Sequence, residues 1–336
     1  MDNSRVVIFT SSTDAHSDVM ASKLHSLGHD PIRLNTDEIP GSTAFNLSLN
    51  GEGWTGGISI GSDQQSFLGF EDVRSVLVRR PGFYNPGADM EHDEQAFVTA
   101  ELDHAIGGLW ASLPCRWVSH PTAIRAASWK IEQLGRAKNM GFEAPRTLVS
   151  TDPERVKQFY EQCSGKIIYK CISGPGAIMG AAGAMGVRPP DLQLPTVMIT
   201  EDQLEHVESV SQAPCLFQEY IEKDVELRVT VIGDEVFTAA IHSQEHPKTK
   251  VDFRHFDVDI PYRKAKLPDG IERLCVEFVQ SYDLLFGAID LILTPDGRYI
   301  FIENNPVGQF MFVEHLVPEL RMCDALASLL IRGSGA

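Results

Sequence analysis

The chain has no long apolar run. None of its stretches approaches the roughly 18 apolar residues that a membrane-spanning helix needs, and the apolar segment near its start, Val6-Val7-Ile8-Phe9, is too short for a signal sequence. Cysteine is scarce and scattered. Cys115, Cys163, Cys171, Cys215, Cys275 and Cys323 include no C-x-x-C pair, so neither a zinc site nor a disulfide framework is legible. A reducing, cytoplasmic compartment is the expectation. Positive charge is also short: 29 Lys and Arg face 46 Asp and Glu, for a formal net charge of −17. That balance argues against broad binding to nucleic acid or anionic membranes, while leaving room for a local basic site. Internal repeats and low-complexity segments are missing. So are a G-x-G-x-x-G fingerprint, a Gly-Lys-Ser/Thr phosphate loop, and any Ser-His-Asp or Cys-His spacing that would mark a protein nucleophile.

What remains is ordinary globular material, with 336 residues, 43% apolar and 22% charged, enough for a sizeable core in two or three lobes. Val6–Phe9, a helix ending at Gly28 and Ile32–Leu34 read as a β-α-β opening. Gly51–Phe70 reads as short strands, Ser75–Arg80 as a strand stopped by Pro81-Gly82, Glu91–Leu113 as a long helix and Trp117-Val118 as a short strand. Proline and glycine set the bounds of one helix over Pro121–Gly141. Strand and helix then alternate. Thr147–Ser150, Lys166–Cys171, Val197–Thr200 and Leu216–Tyr220 are strands; Pro153–Gln162 and Glu201–Val210 are helices. A strand–turn–strand over Glu226–Ile241 turns at Gly233-Asp234. Helices over Ile271–Tyr282 and Pro318–Ile331 flank a hairpin over Gly287–Pro306, two apolar strands turned by Pro295-Asp296-Gly297.

That hairpin carries the strongest chemical signal. Glu303 and Asn305 share a face because side chains alternate along a strand, and Asp290 lies on the paired strand. Carboxylate and amide oxygens converging on one face suit Mg²⁺; polar residues near hairpin ends, with no ion, are the bland alternative. Lys170 closes the strand Ile167–Cys171 and runs into a glycine-rich stretch, Gly174-Pro175-Gly176 through Gly186. Such a loop brings backbone N–H groups close to a polyphosphate, or simply links two elements. Gln218-Glu219-Tyr220-Ile221 ends a strand where a planar base could be held, and Glu226 follows at a reach suited to a ribose; solvated glutamates in a surface turn are the alternative. A net-positive segment between His246 and Lys266 holds Lys248, Lys250, Arg254, Arg263, Lys264 and Lys266. It reads either as an entrance for an anionic ligand or as a solvated loop.

In this order Lys130, Lys170, the glycine-rich stretch, Gln218–Ile221, Glu226, Asp290 and Glu303-x-Asn305-Pro306 resemble the ATP-grasp superfamily over about residues 115–315. Further elements are similar to the graspetide synthetases, peptide maturases of the microviridin type. These are Val78-Arg79-Arg80-Pro81, Lys130 with Gln133-Leu134, Tyr169-Lys170, Val251-Asp252-Phe253-Arg254 and Glu303-Asn304-Asn305-Pro306-x-Gly308-Gln309. Phe253 stands where that family often has tryptophan.

The resemblance implies an α/β chain of ATP-grasp fold. Its parts would be an N-terminal α/β pre-ATP-grasp lobe (1–120), a central α+β lobe (121–222) and a C-terminal α+β lobe with the metal site (223–336). It implies that Lys130, Lys170 and the loop at Gly174 and Gly176 contact ATP phosphates. Glu219, Tyr220 and Ile221 would form the adenine hinge, and Glu226 would hold the ribose. Asp290, Glu303 and Asn305 would bind Mg²⁺, two ions in all, and Arg228 and Arg254 would face the reacting carboxylate and γ-phosphate. The implied partner is a precursor peptide with a leader and an acidic core, with no nucleic acid and no membrane; a homodimer is implied by the resemblance alone. The implied reaction joins Asp or Glu side chains to Thr, Ser or Lys side chains as esters or amides. Two other readings stay open: a carboxylate–amine ligase adding amino acids to a peptide, protein or small molecule, and a non-catalytic ATP-binding regulatory module.

Overall fold

The computed structural model describes residues 4–51, 53–61, 66–87, 89–173, 195–255 and 257–333. The chain opens with β1 (Arg5–Thr10), α1 (Ala15–Ser26) and β2 (Ile32–Asn35). A small antiparallel sheet follows, β3 (Thr43–Asn50), β4 (Gly53–Ile60) and β5 (Ser66–Gly69), then β6 (Val73–Val78), α2 (His92–Ser112) and β7 (Arg116–Val118). Strands β2-β1-β6-β7 pair in that order, all parallel. The near-continuous apolar runs of β1 and β6 fit a parallel sheet covered on both faces. The helix α1 starts where the Asp14 side chain accepts from the Ser17 N–H, an N-cap that satisfies an orphan donor.

The middle of the chain gives α3 (Pro121–Ala126), α4 (Lys130–Met140), β8 (Thr147–Ser150), α5 (Pro153–Gln162), β9 (Ile167–Lys170), β10 (Val197–Met198), α6 (Glu201–Leu204) and β11 (Cys215–Glu219). Its strands form an antiparallel sheet in the order β10-β9-β11-β8. The last part adds β12 (Val225–Ile232), β13 (Glu235–Ile241), β14 (Tyr262–Ala265), α7 (Asp269–Gln280), β15 (Phe286–Leu293) and β16 (Tyr299–Asn305), then α8 (Met311–Leu316) and α9 (Met322–Arg332). Its five-stranded antiparallel sheet runs β14-β13-β12-β15-β16. Among the described residues, no helix is long and apolar enough to cross a membrane.

The N-terminal sheet and the last sheet share one core. Val6, Ile8 and Leu77 of the first, with Met20 of α1, pack with Phe286 of the second, with Phe310, and with Leu326 and Leu330 of α9. Polar bonds seal the same junction: Ser75 Oγ donates to Leu330 O at 2.9 Å and Arg74 Nη1 to Ile331 O at 2.9 Å. The opposite face of the large sheet closes on α4 and α7 through Phe142, Phe278 and Phe301.

Three helices differ from the sequence reading. The helix expected over Pro121–Gly141 is two, broken at Ala127–Trp129. The cause is Gln133, whose Nε2 takes the Ala127 carbonyl and donates to Asn304 O at 2.8 Å, while its Oε1 accepts from Asn304 N at 2.8 Å. The amide thus acts as a strand partner for β16, and the chain before it stays extended at Trp129 (φ −84°, ψ 101°). Gly141 ends α4 as expected, at φ +106°. The helix expected over Glu201–Val210 is α6 followed by 3₁₀ turns at Val207–Gln212. The terminal helix starts at Met322 rather than Pro318, because Arg321 interrupts it at φ +51°.

Candidate active site

The site is built on a row across three strands. Arg228 on β12 is the Cα partner of Asp290 on β15, and Asp290 is the partner of Glu303 on β16. The last pairing depends on an irregularity. Near the turn, Leu293 faces Tyr299 and Leu291 faces Phe301, a register that would continue by pairing Asp290 with Ile302. An extra residue at Ile302 shifts the strand by one, and that shift brings Glu303 onto the face of Asp290. Asn305, opposite Ala288, lies on that face as well. Its Nδ2 is 3.2 Å from Asp290 Oδ2 and 3.5 Å from Glu303 Oε1.

Cations from four elements surround the two carboxylates. Breaking the helix puts Lys130 at the first position of α4, where its Nζ lies 3.3 Å from Glu303 Oε2 and donates to Cys171 O at 2.8 Å. Lys170 ends β9, and its side chain has no hydrogen bond or ion pair among the described residues. Arg228 Nη1 straddles Asp290 at 2.8 and 3.0 Å, and its Nη2 donates to Gln309 O at 3.0 Å. Arg254 is held by Asp252, Nε to Oδ1 at 2.8 Å and Nη2 to Oδ2 at 2.5 Å.

The electrostatics follow from this packing. Burial pushes the Glu303 carboxyl up, but Lys130, Lys170 and Arg254 outweigh it and hold it down to about 2. Asp290 is raised by burial, against the pull of Arg228 and with the Glu303 charge adding to the rise. Burial lowers Lys170, with Lys130, Arg254 and Lys223 working in the same direction against Glu303. An ammonium so placed gains from any further anion. Two carboxylates with an amide wedged between them are the hard-oxygen donor set that Mg²⁺ takes, once the Asn305 amide presents its oxygen.

The other expected residues make contacts of their own. Glu226 Oε1 accepts from Lys223 Nζ at 2.9 Å and from Ser243 Oγ at 2.7 Å, while Oε2 has no partner among the described residues. Burial raises its pKa. The Glu219 side chain turns to Arg146, accepting from its N at 2.8 Å and its Nε at 2.7 Å. The Glu219 N–H donates to Arg146 O at 3.0 Å, which leaves the Glu219 carbonyl as its group that could meet a base. Tyr220 N donates to Lys166 O at 2.9 Å. The Ile221 N–H has no partner among the described residues. Gly174 and Gly176 lie outside the described residues. In the basic segment, Lys248 pairs with Asp257 at 2.8 Å and Arg254 with Asp252, so part of its charge is matched internally.

The sequence reading gave no role to Arg79. It is 2% exposed and reaches from the N-terminal sheet to the turn after β16, donating Nη1 to Val307 O at 2.9 Å and to Gly308 O at 3.0 Å. That turn is tight: a Cβ on Gly308 would meet Ala288 Cβ at 2.6 Å, Asn305 Cβ at 3.0 Å and Arg228 Nη2 at 3.1 Å. Arg79 Nη2 also lies 3.2 Å from His16 Nδ1. Burial first, then the Arg79 charge, holds the His16 imidazole down to about 4 against an ordinary 6.5. Between those values the unfolded chain takes a proton that the folded chain refuses. His16 therefore contributes full stability above pH 6.5 and loses it as pH falls toward 4, by at most ~3 kcal/mol. His16→Asn, whose amide oxygen replaces Nδ1, should flatten that part of the pH profile of the urea midpoint; an unaltered profile would contradict the assignment.

Residues 5–125 match the family described as the MvdD pre-ATP grasp domain, and residues 128–317 match the RimK-like ATP-grasp domain. Among solved structures, the chain is similar to a RiPP-associated ATP-grasp ligase of Chryseobacterium gregarium in complex with ADP and a leader and core peptide. Identity is 26%, over 98% of this chain and 97% of that one, with a TM-score of 0.85. Macrocyclase MdnC of Microcystis aeruginosa MRC, bound with precursor peptide MdnA, is 30% identical over 98% and 99%, with a TM-score of 0.82. Macrocyclase MdnB of the same organism is 27% identical over 98% and 99%, with a TM-score of 0.78. Comparison with curated proteins gives no match.

Proposed function

The chain belongs to the RimK-like ATP-grasp family, with an MvdD-type pre-ATP-grasp domain before it, and from that premise we propose that it is a peptide maturase of the graspetide type. It activates Asp or Glu side chains of a ribosomal precursor peptide with ATP. It then closes ester rings with Thr or Ser side chains, or amide rings with Lys. The observation that carries this reading is the Arg228–Asp290–Glu303 row ringed by Lys130, Lys170 and Arg254. Likeness over nearly the full length to ligases solved with leader, core or precursor peptides supports the substrate class.

In the first step a substrate carboxylate oxygen bonds to the γ-phosphorus and the bond to the β-phosphate oxygen breaks, giving an acyl phosphate and ADP. In the second, a hydroxyl or amine of the same peptide bonds to the acyl carbon and inorganic phosphate leaves, carrying the proton in the balance. Each link therefore removes the elements of water from the peptide. The difficulty of the first step is electrostatic, since two anions must meet. Lys130 and Lys170 serve the phosphates, and Arg228 orients Asp290 and favours its ionised form against burial. Mg²⁺, two ions held by Asp290, Glu303 and Asn305, would supply charge neutralisation at the transferred phosphate when bound. Glu226 Oε2 suits a ribose hydroxyl, and the Ile221 N–H with the Glu219 carbonyl suits adenine. A peptide that carries both reacting groups gains from proximity.

The test is to search beside the gene for a short reading frame rich in Thr, Asp and Glu, and to weigh that peptide by mass spectrometry after incubation with the protein, ATP and Mg²⁺. Loss of one water per link, dependent on ATP, is expected, and alkaline hydrolysis then separates ester from amide. An unchanged peptide mass with ATP bound would overturn the reading and favour transfer to a free amine.

A further inference from the structure

Arg80 follows the buried Arg79 and behaves in the opposite way. Arg79 is fixed on both sides: its N donates to Phe9 O at 2.8 Å, and its guanidinium grips the Val307 and Gly308 carbonyls. The next residue is Pro81. Between these anchors Arg80 sits at φ +30°, in the left-handed region that a long side chain rarely adopts. Its guanidinium is partly buried and has no hydrogen-bond or ion-pair partner among the described residues. It stands within electrostatic reach of Asp14 and of Arg228, and burial together with the Arg228 charge lowers its pKa against the pull of Asp14.

Asp14 already accepts from Ser17 N at 3.0 Å and Ser17 Oγ at 2.5 Å. A strained backbone that holds an unpaired guanidinium near a second arginine is therefore unfavourable unless a further anion joins it. The neighbouring arginines have no free fork to offer. Arg228 spends Nη1 on Asp290 and Nη2 on Gln309 O, and Arg254 is bidentate on Asp252. Position decides which anion. Lys130, Lys170 and Arg254 gather on the Glu303 side of the three-strand row. Arg80 enters from the N-terminal sheet on the Arg228 side, because its neighbour Arg79 holds Gly308 O at 3.0 Å and Gly308 packs against Arg228 Nη2. A planar guanidinium matches a carboxylate in two parallel bonds.

Resting on the reading above, we propose that Arg80 is the receptor for the reacting side-chain carboxylate, a guanidinium that holds the Asp or Glu of the core peptide beside Arg228. The N-terminal sheet then supplies a substrate-binding residue to the site on the last sheet.

The full-length protein with Arg80→Gly or Arg80→Lys tests this, using ATP, Mg²⁺ and the Thr-, Asp- and Glu-rich peptide of the test above. Glycine adopts φ +30° without strain, so Arg80→Gly should melt no lower than the parent protein. Its KM for the peptide should rise about 10- to 100-fold, the loss of a charge-assisted pair, while its KM for ATP stays unchanged. Arg80→Lys should restore part of the peptide affinity. An unaltered peptide KM in Arg80→Gly, with the parent active, would overturn the Arg80 role alone. A raised KM for ATP with an unaltered peptide KM would overturn it in favour of a phosphate contact. A fall in melting temperature with no change in peptide KM would overturn it in favour of a structural role. A parent protein that binds ATP yet leaves the peptide unchanged would sink the maturase reading, and this proposal with it.

Discussion

Replacing Glu303 with glutamine is expected to reduce peptide turnover by about 10³-fold without unfolding the chain. Glutamine keeps the shape of the side chain, so the packing of Phe301 and Ile289 beneath the hairpin is untouched. What changes is charge. Glu303 is the carboxylate that Lys130, Lys170 and Arg254 hold ionised, and Lys130 Nζ lies 3.3 Å from it. Neutralising it removes one of the two anionic oxygens donors available to Mg²⁺ and leaves those cations facing one another. The variant should therefore show a particular pattern. Nucleotide affinity in EDTA should be no weaker than in the parent, because the uncompensated lysines attract triphosphate more strongly. The Mg²⁺ concentration needed for half-maximal activity should rise. Calorimetry of ATP binding with and without Mg²⁺, beside mass spectrometry of the peptide, reads both effects. Turnover close to that of the parent would exclude Glu303 from the reacting centre, and weaker binding in EDTA would mean that its charge was not opposing the nucleotide.

The residues of this centre were legible in the sequence for a local reason. Period-two alternation puts Glu303 and Asn305 on one face whatever the rest of the chain does, and a Pro-Asp-Gly turn fixes Asp290 on the neighbouring strand. The one-residue shift at Ile302 was not legible, although without it Glu303 would point away from Asp290. A bulge is chosen by the sheet around it rather than by the strand that carries it. The break between α3 and α4 was hidden in the same way. Local propensity over 121–141 favours one helix, and what stops it is a Gln133 amide docking on Asn304, far along the chain. Glu219 shows the converse: its place at the strand end was readable, but its side chain is claimed by Arg146. Arg79 and Arg80 stand side by side in one motif, yet one is a buried tie and the other an open guanidinium. Composition gives no hint of that difference, because it arises only when the N-terminal sheet meets the turn after β16.

Arg79→Met is the change expected to cost the most stability, about 3 kcal/mol, read as a lower urea midpoint. Methionine fills much of the same space, so the loss lies in the bonds. The Val307 and Gly308 carbonyls would be left without their donor, and His16 Nδ1 without its neighbour. Gly308 is buried, and Val307 and His16 are half-buried, where an unpaired acceptor is expensive. Activity should fall with stability, since the same turn seats Gly308 against Asn305 and Arg228, and presents Gln309 O to Arg228 Nη2. Loosening it would let both ends of the Arg228–Asp290–Glu303 row drift. A second readout separates this tie from a general weakening of the fold. Removing the Arg79 charge relieves a repulsion on His16, so its pKa should climb from about 4, with burial, the larger cause, still keeping it below 6.5. Proton NMR titration of the imidazole in the folded variant measures that shift. A destabilised variant whose His16 titrates as before would show that the guanidinium does not face the imidazole. A variant as stable as the parent would show that the two carbonyls find other donors.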